Sequence, residues 1–213
     1  MNWTVILTSM LPEHLLLVGM LAILGLEIRS GHSRDGFVLA VLSVGAAAAA
    51  ALWLFVMGYL AEPFPQHFLV DPASSLSKAV LVALALPVLL ISRDDFAETP
   101  YYTLVLASLY GACLVVSSTS FPTLFLGIEI MSLPVYALVL LGLLRAQSTE
   151  AALKYLVLGG AATATLLMGI VWIQMRPGPV TFVLKIPSPP NTMFFTPLTA
   201  SMVIVTDSSI IAR

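Results

Sequence analysis

The strongest constraint on the fold is the segment from Phe37 to Ala61, which contains no Asp, Glu, Lys or Arg. A helix needs roughly 20 mainly apolar residues to cross the ~30 Å hydrocarbon layer of a bilayer. Five other stretches have the same character. The six stretches lie near residues 8–28, 37–60, 76–92, 101–118, 121–144 and 151–175. The sequence therefore predicts an all-α polytopic membrane protein with about six transmembrane helices.

Composition excludes several classes of function. The chain is 59% hydrophobic and only 9% charged, whereas a soluble domain has about 25% charged residues. Its formal net charge of −2 offers no basic surface for nucleic acid, so we expect the lipid bilayer and not nucleic acid as a partner. A single cysteine, Cys113, excludes a disulfide, an iron–sulfur site and a cysteine zinc site within this chain. We expect no metal and no redox cofactor in this chain.

The basic residues between the stretches predict an orientation. Arg29, Arg34, Arg93 and Arg145 lie in alternate loops, and loops rich in Lys and Arg remain in the cytoplasm. The N-terminus is then expected on the outer, periplasmic side of a cell (inner) membrane. The first residues lack Lys and Arg, so we expect the first stretch to be retained and not cleaved as a signal peptide.

Charges near the ends of the first and third stretches are interpreted as interfacial. Glu13 and Glu27 flank the first stretch, and Lys78 lies early in the short third one. We expect Lys78 either to reach the membrane interface with its long side chain or to sit in a tilted helix. Between the second and third stretches, residues 64–72 are expected to form a short extended or hairpin element on the outer face.

Glu129 is the candidate site residue that stands out from the residues alone. Apart from tyrosines and Cys113, it is the only ionisable residue between Tyr101 and Leu144, and it lies about 12 Å from the start of its span. A charge at mid-bilayer costs about 2.5–3.5 kcal/mol on insertion scales. A carboxyl group there either stays protonated or finds a cationic partner, and both states suit a proton carrier. The alternative is a protonated side chain that only hydrogen-bonds across a helix interface.

Lys154 is the second candidate, and the residues alone leave its role open. It follows Glu150 by four residues, a spacing that pairs the two on one helix face. A lysine that reaches the interface explains the position about as well as one that exchanges a proton. Pro134, five residues after Glu129, removes a backbone donor and leaves a carbonyl unpaired near that carboxylate.

Two runs of sequence resemble a known family. Residues 126–136 read LGIEIMSLPVY and residues 148–159 read STEAALKYLVLG. Both are similar to the antiporter-like membrane subunit N of proton-pumping NADH-quinone oxidoreductase, respiratory complex I. Shorter matches are Leu11-Pro12-Glu13 and Val70-Asp71-Pro72. The resemblance covers roughly residues 5–170, and it is expected to end at about Val171, before a proline-rich tail.

The resemblance implies roles for both candidate residues. Glu129 matches the family's fifth-helix glutamate, which belongs to a proton half-channel, and Lys154 matches its sixth-helix lysine in a chain of buried charges. The family fold has fourteen transmembrane helices, so this chain would be incomplete, by truncation or a frameshift. Residues 1–100 would then hold the first three helices, 101–175 the start of the proton-translocating antiporter-like domain, and 176–213 a tail outside the family.

The resemblance also implies a function and partners. The chain would be part of a membrane-arm subunit that contributes to proton translocation coupled to NADH oxidation and quinone reduction. It would have no redox centre of its own, because NADH, FMN, the iron–sulfur clusters and quinone bind to partner subunits of the complex. Two alternatives stay open: a non-transporting membrane fragment or assembly piece, and a cation/proton antiporter subunit.

Overall fold

The computed structural model describes residues 3–30, 33–93, 99–141, 146–175, 180–183 and 203–206. Over these residues the chain forms seven helices and two small antiparallel sheets. The helices are α1 (Trp3–Ser9), α2 (Leu11–Ser30), α3 (Ser33–Val56), α4 (Pro72–Ile91), α5 (Thr99–Ser117), α6 (Phe121–Leu141) and α7 (Ala146–Gln174). The strands are β1 (Ala61–Phe64), β2 (Phe68–Val70), β3 (Val180–Val183) and β4 (Val203–Thr206).

Six of these helices, α2 to α7, are long and apolar enough to cross a membrane. Their bounds agree with the six predicted stretches to within about five residues, so the predicted fold class is confirmed. The short helix α1 precedes α2, and Met10 between them bonds to both, since its amide donates to the Ile6 carbonyl at 3.1 Å and its carbonyl accepts from the His14 amide at 3.0 Å. The tail segments β3 and β4 pair with each other in antiparallel register.

Helices α2, α3, α4 and α5 pack around one core, while α6 and α7 are much more open. Between 28% and 39% of the residues in the apolar windows of α2 to α5 are buried, against 6% in those of α6 and α7. The shared core contains residues from each of the helices α2 to α5: Leu16, Ile23, Ala40, Val44, Ala47, Val82, Leu89, Tyr102 and Leu106. α6 packs on α5, and α7 packs on α6.

Strands β1 and β2 form the predicted hairpin, which begins a few residues earlier than expected, at Ala61. Gln66 has a φ of 66° in its turn. Because β2 leads directly into α4, the hairpin lies at the end of the bundle where α4 and α6 begin and α3 and α5 finish. We call this the hairpin end. Phe68 bridges to Ser118, and the Thr119 amide donates to the His67 carbonyl at 2.9 Å, so the hairpin is fixed over the α5–α6 turn.

The arginines of the described loops lie at the opposite end. Arg29 is in the last turn of α2, and the Arg93 guanidinium, just after α4, lies 5.1 Å from the centroid of the Phe37 ring. Arg145 and the side chain of Arg34 lie outside the described residues. The grouping of Arg29 and Arg93 at one end agrees with the charge asymmetry from which the orientation was predicted.

Candidate functional site

Contacts with α5 set the rotation of α6, the helix that carries Glu129. A Cβ at Gly111 would overlap the backbone at Ile130 and Met131, so glycine lets the two helices approach closely. The Ser108 hydroxyl donates to the Met131 carbonyl at 3.1 Å. Gly127 meets Val115 in the same way one turn earlier. Gly127 and Met131 therefore mark the face of α6 that contacts α5.

Glu129 lies on a different face of α6. At 100° per residue it is about 160° away from both Gly127 and Met131. It shares its face with Tyr136, two turns on, which packs against Gly159 of α7. Its side chain is half-buried, and no ion pair among the described residues involves it. Glu129 is thus a carboxyl group within an apolar span, on the side of α6 that faces α7 and away from α5.

The helix next to Glu129 has polar groups that a regular apolar helix lacks: a carbonyl without its backbone donor and a serine hydroxyl. Pro134 lies inside α6 and has no amide hydrogen to donate to the carbonyl of residue 130. The Ser132 hydroxyl is 3.3 Å from the Glu129 carbonyl and donates to it. These groups offer hydrogen-bond partners within the span, which lowers the cost of admitting water next to the carboxyl group.

Lys154 lies on α7 and points away from α6. Ser148 and Ala152 are buried and share their face with Gly159, which meets Tyr136 of α6. Lys154 is about 140° from the direction of this face. Its ammonium nitrogen lies 2.6 Å from Glu150 Oε1, as the i,i+4 spacing predicts, and the two side chains are 69% and 67% exposed. The structure therefore pairs Lys154 with Glu150 and does not bring it into contact with Glu129.

The sequence interpretation missed a second ion pair, which is buried. Glu13 Oε1 on α2 lies 2.5 Å from Lys78 Nζ on α4, with side-chain exposures of 1% and 0%. The expectation that Glu13 marks an interface is therefore wrong, and so is the first alternative for Lys78, that its side chain reaches one; the second alternative, a tilted helix, stays a prediction. Each charge is neutralised by the other inside the bundle, which removes the need to reach water. Only the shortness of the uncharged part after Lys78 hinted at this in the sequence.

The described residues contain no group of three or more His, Cys, Asp or Glu side chains placed to hold a metal ion. The chemistry that the site residues offer is proton transfer and charge compensation. Carboxylate and ammonium groups in a low-dielectric environment change each other's protonation when a neighbouring charge appears or disappears.

Comparison with protein families agrees with this picture. A family model described as the transmembrane part of NADH:quinone oxidoreductase/Mrp antiporter subunits matches residues 118–186. This range contains α6 and α7 with Glu129, Glu150 and Lys154. It also runs past residue 170, the limit expected from the resemblance.

Individual relatives are named NADH-quinone oxidoreductase subunit N. The chain is 34% identical to NADH-quinone oxidoreductase subunit N of Pelobacter propionicus, over 78% of this chain and 36% of the relative. It is 35% identical to subunit N of Laribacter hongkongensis, over 80% of this chain and 36% of the relative. A chain in the structure of respiratory complex I from Thermus thermophilus with bound aureothin superimposes with a TM-score of 0.65 and 28% identity. That match covers 74% of this chain and 35% of the Thermus chain.

Two facts follow from these comparisons. The resemblance to the N-terminal portion of subunit N, read from the residues around Glu129 and Lys154, is confirmed. The chain spans about a third of the length of the relatives that it matches.

Proposed function

We propose that this chain, which is similar to the N-terminal portion of NADH-quinone oxidoreductase subunit N, acts in the membrane arm of a respiratory complex I and contributes to its proton translocation. The observation that carries the proposal is Glu129, a half-buried carboxyl group within the apolar helix α6. An intramembrane ionisable residue marks a transport path more often than a structural contact. In this role Glu129 takes up and releases a proton as neighbouring charges change.

Lys154 is the second group of the proposed path. Its ammonium is held by Glu150 on the outward face of α7, among exposed apolar residues such as Leu153 and Val157. An ion pair on such a face is costly in lipid, so in the assembled subunit this face meets further protein or water. There the Glu150–Lys154 pair changes its charge state when a neighbouring group is protonated. Residues 1–100 would supply supporting helices, and 101–175 the start of the proton-translocating domain.

The proposed setting follows from the relatives. The redox chemistry of NADH, FMN, iron–sulfur clusters and quinone takes place on partner subunits, and this chain contributes none of those centres. The chain lies in a bacterial cell membrane with the N-terminus on the periplasmic side, in agreement with Arg29 and Arg93 at the opposite end of the bundle.

The test replaces Glu129 with glutamine at the matching position of a full-length subunit N, such as that of Laribacter hongkongensis. Glutamine keeps the shape and hydrogen bonding but cannot carry the proton. We expect NADH-driven proton pumping into membrane vesicles to fall at least about tenfold, because a general acid–base group typically contributes about 10²–10⁴-fold to the rate of a proton transfer. The matched control is Glu27→Gln, a carboxyl change at the end of α2, which leaves pumping unchanged. Undiminished pumping in an assembled Glu129→Gln complex contradicts the proposal.

The family model that matches α6 and α7 also describes Mrp antiporter subunits, which keeps cation/proton exchange as a second candidate. Vesicles that contain the protein distinguish the two functions. An antiporter collapses a pH gradient when sodium is added without NADH, whereas a subunit of the oxidoreductase supports a gradient only when NADH is oxidised. A chain that does neither and does not co-purify with other subunits is a non-transporting fragment.

A further inference from the structure

A cluster of buried polar groups at the hairpin end takes no part in the proposed path through Glu129. Its centre is the ion pair between Glu13 of α2 and Lys78 of α4. Cys113 of α5 is fully buried and lies within electrostatic range of both charges. Three helices therefore meet around one carboxylate and one ammonium group.

Several polar atoms of this cluster have no protein partner. Glu13 Oε2, Ser75 Oγ and Ser117 Oγ are buried and have no hydrogen-bond partner among the described residues. The Lys78 ammonium has three N–H donors, and Glu13 is the one partner that the described residues give it. Leaving buried polar groups without hydrogen bonds is unfavourable, and in native proteins ordered water usually satisfies them.

The two free hydroxyl groups lie on the same side of the ion pair. Ser75 precedes Lys78 by three residues on one face of α4, which places it about 4.5 Å nearer to the hairpin. Ser117 follows Cys113 by four residues on one face of α5, which places it about 6 Å nearer to the hairpin. Both hydroxyls thus lie between the level of the ion pair and the β1–β2 hairpin.

The hairpin covers the end of the bundle above these polar groups. Val70 is fully buried where β2 enters α4, and Phe68 bridges to Ser118 directly after Ser117. The Thr123 hydroxyl and the Thr119 amide both donate to the His67 carbonyl, at 3.1 and 2.9 Å. The polar groups are therefore enclosed by three helices and a fixed cover.

We propose that this enclosed cluster is a water-binding site. Water molecules there donate hydrogen bonds to Glu13 Oε2 and accept them from the Lys78 ammonium, while the Ser75 and Ser117 hydroxyls complete their coordination. A buried water needs two to four polar partners, and the cluster supplies that number. The bound water keeps both members of the ion pair solvated inside the bundle. The site is separate from the proposed proton path, and its test needs no other subunit.

The single cysteine of the chain provides the test, because Cys113 is fully buried within electrostatic range of the ion pair. The full chain is placed in lipid nanodiscs, transferred from H₂O to D₂O, and followed by infrared spectroscopy of the growing S–D stretch, which is clear of protein bands and of the O–D stretch of the solvent. Cys113→Ser removes the band and so assigns it. We expect S–H to become S–D well before the helical backbone amides exchange, since water reaches the site without unfolding. Thiol exchange no faster than that of the helical amides would show a dry site and overturn the proposal.

Serine variants test whether the free hydroxyls hold the water. Each lost hydrogen bond of about 1 kcal/mol weakens binding roughly fivefold, so Ser75→Ala combined with Ser117→Ala should slow thiol exchange by about tenfold or more. The matched control is Ser77→Ala, on the same helix, where the hydroxyl is exposed and already donates to the Ala73 carbonyl at 2.8 Å. We expect the control to exchange like the wild type. Equal rates in the double variant and the wild type, or equal slowing in the control, would overturn the proposal.

Discussion

The two ion pairs found among the described residues have nearly the same N–O distance and opposite surroundings. Glu13 and Lys78 are 2.5 Å apart with exposures of 1% and 0%, whereas Glu150 and Lys154 are 2.6 Å apart and about two-thirds exposed. The first pair joins two helices within the packed group α2–α5. The second joins two turns of the open helix α7. Because the N–O distances are almost equal, burial decides how much each pair contributes to stability.

The difference separates a structural role from a transport role. A buried pair with good geometry resists a change in its net charge, because losing one charge leaves the other uncompensated in a low-dielectric interior. An exposed pair holds its members weakly, so either group can exchange a proton or change partners when a neighbouring surface approaches. On this comparison Glu13–Lys78 fixes the helices, and the face with Glu150 and Lys154 remains available to the proposed proton path.

The largest expected effect comes from removing one member of the buried pair. Lys78→Met leaves the Glu13 carboxylate without its counter-charge, which should lower the free energy of unfolding by about 3–5 kcal/mol. Unfolding of the purified chain by SDS in mixed micelles, followed by far-UV circular dichroism, measures this change. The double variant Glu13→Gln with Lys78→Met removes both charges and should recover most of the loss. A single variant that costs less than about 1 kcal/mol would mean that bulk water, and not only a few bound molecules, screens the pair.

The sequence alone predicted the elements that depend on local chemistry. The six helices follow from the length of uncharged stretches such as Phe37 to Ala61. The hairpin follows from turn residues around Pro65, and the i,i+4 spacing places Glu150 and Lys154 on one helix face. Each of these features is decided by residues close together in the chain, so no knowledge of the packing was needed.

The pairing of Glu13 with Lys78 could not be predicted in this way. It depends on which helices are neighbours, and helices that are apolar on every face carry no periodic pattern to show which side is buried. A charge near the end of a span therefore looks interfacial until it is known that α2 and α4 both pack against α3 and α5. The same reason explains why the sequence left the role of Lys154 open, whereas the structure shows its pairing with Glu150.

A glycine substitution tests whether α6 is anchored despite its low burial. In Gly111→Ala the new methyl group would overlap the backbone at Ile130 and Met131, and such overpacking typically costs about 1–3 kcal/mol. The matched control is Gly160→Ala on α7, where nothing lies within 4 Å of the added Cβ. We expect the control to be neutral or slightly stabilising, since alanine favours a helix interior over glycine. Both changes are measured by the same SDS unfolding. Equal stabilities for the two variants would show that the close α5–α6 approach does not hold α6 in place.

The smallest expected effect is at the exposed pair. Lys154→Met in the isolated chain should change the unfolding free energy by less than about 1 kcal/mol, because exposed ion pairs contribute little and a lone Glu150 side chain can turn toward water. Adding Glu150→Gln should give a nearly additive result, with a coupling energy of no more than about 0.5 kcal/mol. A large coupling, close to that of the buried pair, would mean that this face is covered in the isolated chain and that both pairs are structural. If stability barely changes while the same lysine substitution in a full-length relative abolishes proton pumping, the two pairs have different roles: Glu13–Lys78 holds helices together, and Lys154 carries charge.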